Sequence, residues 1–201
     1  TGVPAWDTRE RVGRFREFVE LVDTMLRQAT TTYEGRYYQV QDARMIPAPV
    51  QQPRPPLTLG ALGPTTIRLA ARYADSWNSY VLPPAGVADA LQMTKARVDL
   101  LRDACAAVGR DPATIRRSLL CWPLMPDTPF ASLDAFRDFV GRYSEIGINE
   151  FIFYWMREDL PALGADQSWI ERTLDRATLE WLAAEAIPKV KAEHLTAGTK
   201  T

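Results

Sequence analysis

The sequence predicts an α/β protein with a parallel sheet, and three observations carry that prediction. Short apolar or aromatic runs of strand composition recur at Leu57–Ala61, Asp75–Val81, Ile115–Pro123 and Glu150–Trp155. Segments of helical spacing separate them, so strand and helix alternate along the chain. Glycine and proline punctuate the changes, with Pro64 placed to open a helix and Gly109 and Gly147 placed to close two others. Such an order builds right-handed βαβ units. A small doubly wound sheet and half of an eight-stranded barrel both satisfy it.

Taken in order, residues 8–28 space Val12, Phe15, Phe18, Val19, Val22, Met25 and Leu26 as one buried helix face. Arg9, Arg11, Arg14, Arg16, Glu17 and Glu20 largely occupy the other side. Tyr33–Val40 reads as a strand-turn-strand excursion, and residues 45–56, with five prolines, as an extended surface connector, with Arg36 of the first and Arg54 of the second solvated. After the Leu57–Ala61 strand, Pro64 begins a helix with Ile67, Leu69, Ala70 and Tyr73, and Asp75–Val81 is the second strand. A longer helix from about Gly86 to Val108 carries Leu91, Thr94, Val98, Leu101, Cys105 and Val108 on one face. Asp111-Pro112 starts a short turn before the Ile115–Pro123 strand. Ser132 is the expected N-cap of a helix holding Leu133, Phe136, Phe139, Val140, Tyr143 and Ile146. Glu150–Trp155 is the fourth strand, and residues 167–193 are helical with a break at Pro188 and a tail over 189–201.

Composition limits the function. The 201 residues suit one large domain, and 24 Lys+Arg against 25 Asp+Glu give a net charge of −1, which argues against nucleic-acid or anionic-membrane partners. No stretch is long and apolar enough for a membrane span, and Thr1-Gly2-Val3-Pro4 has no signal-peptide character. Cys105 and Cys121 lack Cys-x-x-Cys spacing and read as buried reduced thiols, which implies a cytoplasmic protein. His194 is the single histidine, so a His-rich metal site or an internal Ser/His/Asp triad has no material, and no metal is expected. A chain that opens at Thr1 and runs at once into an amphipathic helix reads as a piece of something longer.

Four blocks carry a family resemblance: Tyr33-Glu-Gly-Arg-Tyr-Tyr38, Pro47-Ala-Pro-Val-Gln-Gln-Pro-Arg-Pro-Pro56, Leu59-Gly-Ala-Leu-Gly-Pro64 and Leu69-Ala-Ala-Arg-Tyr-Ala-Asp-Ser-Trp-Asn78. In this order and spacing they resemble the luciferase-like flavin monooxygenase and deazaflavin (F420)-dependent oxidoreductase superfamily. The resemblance implies the C-terminal half of a (β/α)8 TIM barrel. Strands five to eight then correspond to Leu57–Ala61, Asp75–Val81, Ile115–Pro123 and Glu150–Trp155, and residues 30–56 to an insertion before strand five. It further implies reduced FMN or coenzyme F420 as cofactor, with hydride transfer to, or oxygenation of, a small organic substrate. Strands one to four, from which many members take a general acid or base, have no counterpart, so the fragment is expected to be inactive alone.

A strand ending at Gly60-Ala61-Leu62-Gly63 and a helix starting at Pro64-Thr65-Thr66 leave backbone N–H groups unpaired at a helix N-terminus, the outline of a phosphate cradle. On the motif alone, Gly63-Pro64 reads equally as an ordinary helix start. By the resemblance, Gly60, Ala61, Leu62, Gly63 and Thr66 contact or line the cofactor's phosphate end. Trp77 and Asn78, at the C-terminal end of the sixth strand, wall the ring or phosphate pocket, or Trp77 packs beneath a loop. Trp155, Arg157 and Glu158 either face substrate or pack at a strand end. Exposed barrel edges imply pairing into a homo-oligomer. Two other readings remain open, a half-barrel assembly module without catalysis and a small nucleotide-binding α/β domain.

Overall fold

The computed structural model describes residues 5–81, 86–121, 125–127, 129–153 and 175–197, which fall into two compact units. The first comprises Thr1–Asn78 and Asp99–Arg116, the second Ser79–Val98 and Arg117–Thr201.

The first unit opens with helix α1, Thr8–Arg27, whose N-cap Asp7 accepts the Glu10 N–H at 2.8 Å. Its buried positions are Glu17, Val19 and Leu21, whereas Phe18, expected inside, is 49% exposed. A polar contact sets this rotation. The Glu17 carboxylate accepts the N–H groups of Tyr37 (2.7 Å), Arg36 (3.1 Å) and Tyr38 (3.3 Å) in the turn of a hairpin. That hairpin pairs strand β1, Thr31–Glu34, antiparallel with β2, Gln39–Ala43. Gly35 is required here, because a Cβ would lie 2.6 Å from Tyr33 Cε1 and collide with the Glu17 carboxylate. Arg14 packs on Trp6 and Tyr37, 4.1 and 4.7 Å from the ring centres, and presses the turn against the helix.

The proline-rich segment has no regular structure, and it corrects one expectation. Arg54 is not solvated: its side chain is 4% exposed, its Nε donates to Asp23 at 2.5 Å, its Nη1 pairs with Asp75, and its Nη2 donates to the Tyr73 carbonyl at 2.8 Å. The connector is therefore pinned to α1 and to the chain ahead of the next strand. Arg36 is exposed, as expected.

Strand β3, Thr58–Gly60, and β4, Ser76–Ser79, pair parallel with Leu59 opposite Trp77. Helix α2, Pro64–Tyr73, makes the crossover and buries Ile67, Leu69, Ala70 and Ala71. Burying Ile67 and Leu69 stabilises by roughly 1.5–3 kcal/mol each. Helix α3, Val87–Ala107, buries Leu101, Ala104 and Cys105 in this unit and Ala90, Thr94 and Val98 in the other. Val108, expected on that face, is 46% exposed because the helix ends before it, and Gly109 takes a left-handed φ of +66°. A single 3₁₀ turn, Pro112–Thr114, capped by Asp111, leads into strand β5, Arg116–Cys121.

In the second unit β5 pairs parallel with strand β6, Glu150–Phe153, in register from Ser118–Glu150 to Cys121–Phe153. Helix α4, Leu133–Glu145, crosses between them with Ser132 as N-cap, and Gly147 turns the chain at φ +101°. Its Phe136, Phe139 and Tyr143 join Phe151 and Phe153 in an aromatic cluster with centroids 4.9–6.4 Å apart. Buried Asp127 takes Arg142 at 2.8 Å and the Tyr143 hydroxyl at 3.3 Å, and burial with this carboxylate pushes the Tyr143 pKa well up. Cys105 and Cys121 are both buried thiols outside any disulfide, as expected.

The C-terminal helix corrects a second expectation. Helix α5, Arg176–Trp181, passes through a π-helical turn, Leu182–Ala186, into helix α6, Ile187–Ala197, without a break at Pro188. The π turn shifts the hydrogen-bond register immediately ahead of the proline, so its missing N–H falls in a first turn, where proline is tolerated.

Candidate functional site

The β3–α2 turn assembles five of the seven residues that the sequence singles out, all in the first unit. Gly63 caps α2 without a side chain, Pro64 is the first helical residue, and the first intrahelical bond runs from Ile67 N–H to Gly63 O at 2.9 Å. Pro64 has no N–H, so the amides of Thr65 and Thr66 are donors with no intrahelical acceptor, at the positive end of the helix dipole. The Thr66 hydroxyl donates back to Gly63 O at 3.0 Å and fixes the turn. A Cβ at Gly60 would meet nothing within 4 Å, and one at Gly63 only Thr66 Oγ1 at 4.0 Å, so the space in front of both is open. Gly63, Pro64 and Thr65 are exposed, Leu62 and Thr66 half-buried.

Behind the turn the remaining two residues act as anchors. Trp77 is fully buried and donates its Nε1–H to Ala61 O at 2.8 Å, while Ala61 N–H donates to Asn78 O at 3.1 Å. Ala61, 1% exposed, is thus stapled on both sides to the end of β4. Asn78 is half-buried. Trp77 packs beneath the loop and holds it. Trp155, Arg157 and Glu158 lie outside the described residues.

One level below, Asp75 sets where β3 and β4 begin. It accepts Leu57 N–H at 2.8 Å beside Arg54, and its own N–H donates to Leu57 O at 2.9 Å. Burial raises its pKa, but the Arg54 and Leu57 bonds and the positive charges of Arg54 and Arg110 outweigh this and hold it below the ordinary carboxylate value. From Leu57 to Ile67 the sequence has no ionisable side chain. What the turn offers is therefore binding and orientation, two amide donors and a hydroxyl-lined edge suited to an oxyanion, with no acid or base of its own.

The sequence profile of the luciferase-like monooxygenase family matches residues 1–199. The chain belongs to that family. Among solved structures, this luciferase-like chain is similar to the coenzyme F420-dependent tetrahydromethanopterin reductase from Methanopyrus kandleri, at 13% identity and TM-score 0.64 over 89% of this chain and 63% of that one. It is also similar to an F420-dependent secondary alcohol dehydrogenase in complex with an F420–acetone adduct, at 16% identity and TM-score 0.60 over 74% of this chain and 57% of that one. The luciferase-like chain thus spans about three fifths of the length of either structure, and at these identities the likeness is one of fold.

Sequence reading missed the arginines around the turn in sequence, of which Arg68 and Arg72 share a groove with Thr65 and Thr66. Residues 43–74 contain Arg44, Arg54, Arg68 and Arg72 and no Asp or Glu, a local charge bias that a count over the whole chain averages away. It also missed Arg97, which in the second unit donates from Nη1 to Tyr80 O at 2.7 Å and Ser79 Oγ at 3.3 Å and so holds the end of β4. Burial there pulls the guanidinium pKa down. Among the described residues, no helix is long and apolar enough to cross a membrane.

Proposed function

We propose that this chain supplies the phosphate-holding part of an oxidoreductase that uses reduced FMN or coenzyme F420 on a small organic substrate. On this reading β3, β4, β5 and β6 are strands five to eight of a (β/α)8 barrel, and residues 30–56 are an insertion before the fifth. The carrying observation is the β3–α2 turn: two unpaired amides, open space at Gly60 and Gly63, and a backbone locked from behind by Trp77. Gly63, Thr65 and Thr66 would hold the cofactor's phosphate, with Gly60 and Leu62 beside it. Ala61, Trp77 and Asn78 would position the loop. The cofactor, when bound, supplies hydride transfer or oxygen activation. The acid or base of the reaction then belongs to groups outside this turn, and the 201-residue chain alone is expected to be inactive.

Titration of FMN and F420 into the chain, followed by quenching of cofactor fluorescence, tests the reading. Saturable quenching that Gly63→Asp weakens at least tenfold supports it, because a carboxylate there repels phosphate. Quenching by neither cofactor, or an unchanged affinity in Gly63→Asp, overturns it.

Pairing of two copies through unit two is the associated reading of assembly. It is favoured by a groove of about 660 Å³ floored by Phe136, Phe151 and Phe153, with Ile152 of the same strand β6 40% exposed. Light scattering is expected to give twice 22.6 kDa, and a clean monomer would exclude it.

A further inference from the structure

Arg110 has no part in the β3–α2 turn, yet its side chain ends on the helix that carries that turn. Its backbone is locked first. Gly109 is left-handed, and Arg110 N–H donates to Cys105 O at 2.9 Å, which closes α3. The side chain is locked next, because the Thr114 hydroxyl donates to Asp111 O at 2.7 Å and so turns a lone pair to Arg110 Nε, 3.1 Å away. The guanidinium held in this way donates from Nη1 to Ala71 O at 3.2 Å, in the last turn of α2.

A second arginine takes the same end of the helix. Arg54 Nη2 donates to Tyr73 O at 2.8 Å. The last four carbonyls of a helix lack donors from further turns. Asp75 N–H, which would continue α2 onto Ala71 O, is instead turned to Leu57 O at 2.9 Å. Both arginines thus hold carbonyls that α2 leaves over, and Arg54 also pairs with Asp75, which sets where β3 and β4 begin. The end of α2 and the entry to both strands are tied at one level.

The β3–α2 turn lies at the opposite level. Helix α2 has ten residues, which span about 15 Å at about 1.5 Å each. Only residues 61–63 separate β3 from α2, too little chain to absorb a sliding helix. A movement of α2 along its axis therefore passes to Gly63 and to the Thr65 and Thr66 amides, and a shift of about 1 Å takes a donor out of the 2.7–3.2 Å range of a hydrogen bond.

We propose that Arg110 is a positioning residue for the β3–α2 turn, acting with Arg54 on the C-terminal carbonyls of α2. Its consequence for cofactor affinity rests on the proposed function, whereas its effect on the turn's own amides does not. It acts by geometry, since the length of α2 exceeds the Debye length of about 8–10 Å at physiological salt and a guanidinium charge is largely screened over it.

Arg110→Met removes both side-chain bonds, and Arg110→Lys keeps one donor for Ala71 O. In the ¹⁵N-labelled chain Arg110→Met is expected to move the Thr65 and Thr66 amide resonances and to speed exchange of the Ile67 amide at least tenfold, with Arg110→Lys close to wild type. Phe139→Leu, a core substitution in the second unit, controls for lost stability and is expected to leave these amides unmoved. Fluorescence titration should show FMN and F420 affinity reduced several-fold in Arg110→Met, by the same factor at low and high salt. Unmoved Thr65 and Thr66 resonances, an equal response in Phe139→Leu, or no recovery in Arg110→Lys overturns the inference. So does a cofactor affinity that is unchanged in Arg110→Met, or a difference that vanishes at high salt. A wild-type chain that binds neither cofactor removes the proposed function, and the amide measurements then decide the positioning role by themselves.

Discussion

Around Glu17 and Arg54 the charged groups find partners far away in sequence, whereas around Thr65 and Thr66 strong donors are left without intrahelical acceptors. Both regions belong to the first unit and lie against α1 or α2. The hairpin turn places three N–H groups on one carboxylate, and Arg54 joins Asp23, Asp75 and Tyr73 O. The β3–α2 turn spends its bonds behind itself, through Trp77 and Asn78, and presents bare amides in front. A satisfied polar network fixes geometry and has little left with which to bind. An anchored but unsatisfied turn keeps its binding capacity, which is why it is the better candidate site.

The largest expected effect comes from breaking the satisfied region. Arg54→Ala leaves Asp23 and Asp75 without their shared cation and should cost about 2–3 kcal/mol, below the 3–5 typical of a fully buried pair because Asp75 keeps contact with water. Chemical denaturation reads this as a lower midpoint. The same substitution should flatten the acid limb of stability. Asp75 is held below its unfolded value, so its contribution is complete above about pH 4 and is lost as pH falls through the lower folded value. An acid limb unchanged in Arg54→Ala would show that Asp75 is not the group responsible.

Gly35→Ala comes next. The added methyl meets Tyr33 and a Glu17 carboxylate that three N–H bonds prevent from moving away, at a cost of about 1–3 kcal/mol. Thermal melting should fall by several degrees, and much less when Glu17→Ala is introduced together with it. Equal losses in both backgrounds would remove Glu17 as the cause.

Trp77→Phe tests the anchor behind the open turn. It keeps most of the buried ring and loses one hydrogen bond to Ala61 O, about 1 kcal/mol. Cofactor affinity should fall several-fold, and Ala61–Thr66 amides should exchange faster in hydrogen-exchange measurements. Unchanged exchange would mean that packing alone holds the loop. The smallest effect on folding belongs to Arg68→Gln/Arg72→Gln, within about 0.5 kcal/mol as for other exposed positions. A larger loss would place these arginines in the satisfied class and weaken the contrast between the two regions.

Local signals made much of this legible in sequence. Ser132 and Asp111 cap where expected, and Gly109 and Gly147 adopt the left-handed conformation that their helix-ending role demands. The Gly63-Pro64-Thr65-Thr66 turn was legible for the same reason, since Pro at the first helical position and a glycine before it act within four residues. Arg54 and Glu17 were not. Each reads as a surface charge until Asp75, 21 residues on, or the 36–38 turn, some 20 residues on, is brought alongside. Pro188 reads as a helix breaker because the register shift that accommodates it is invisible to periodicity.

By itself, then, the sequence determined the alternation of strand and helix, most helix ends and the Gly63-Pro64 turn, all of which depend on local backbone preference and apolar spacing, and its motif blocks carried the family. Tertiary structure alone decided which charges are buried, which face of α1 is inside and that Trp77 acts from beneath the loop. It also decided which arginines share a groove. Those outcomes depend on partners distant in sequence, and a buried charge is stable only where such partners exist.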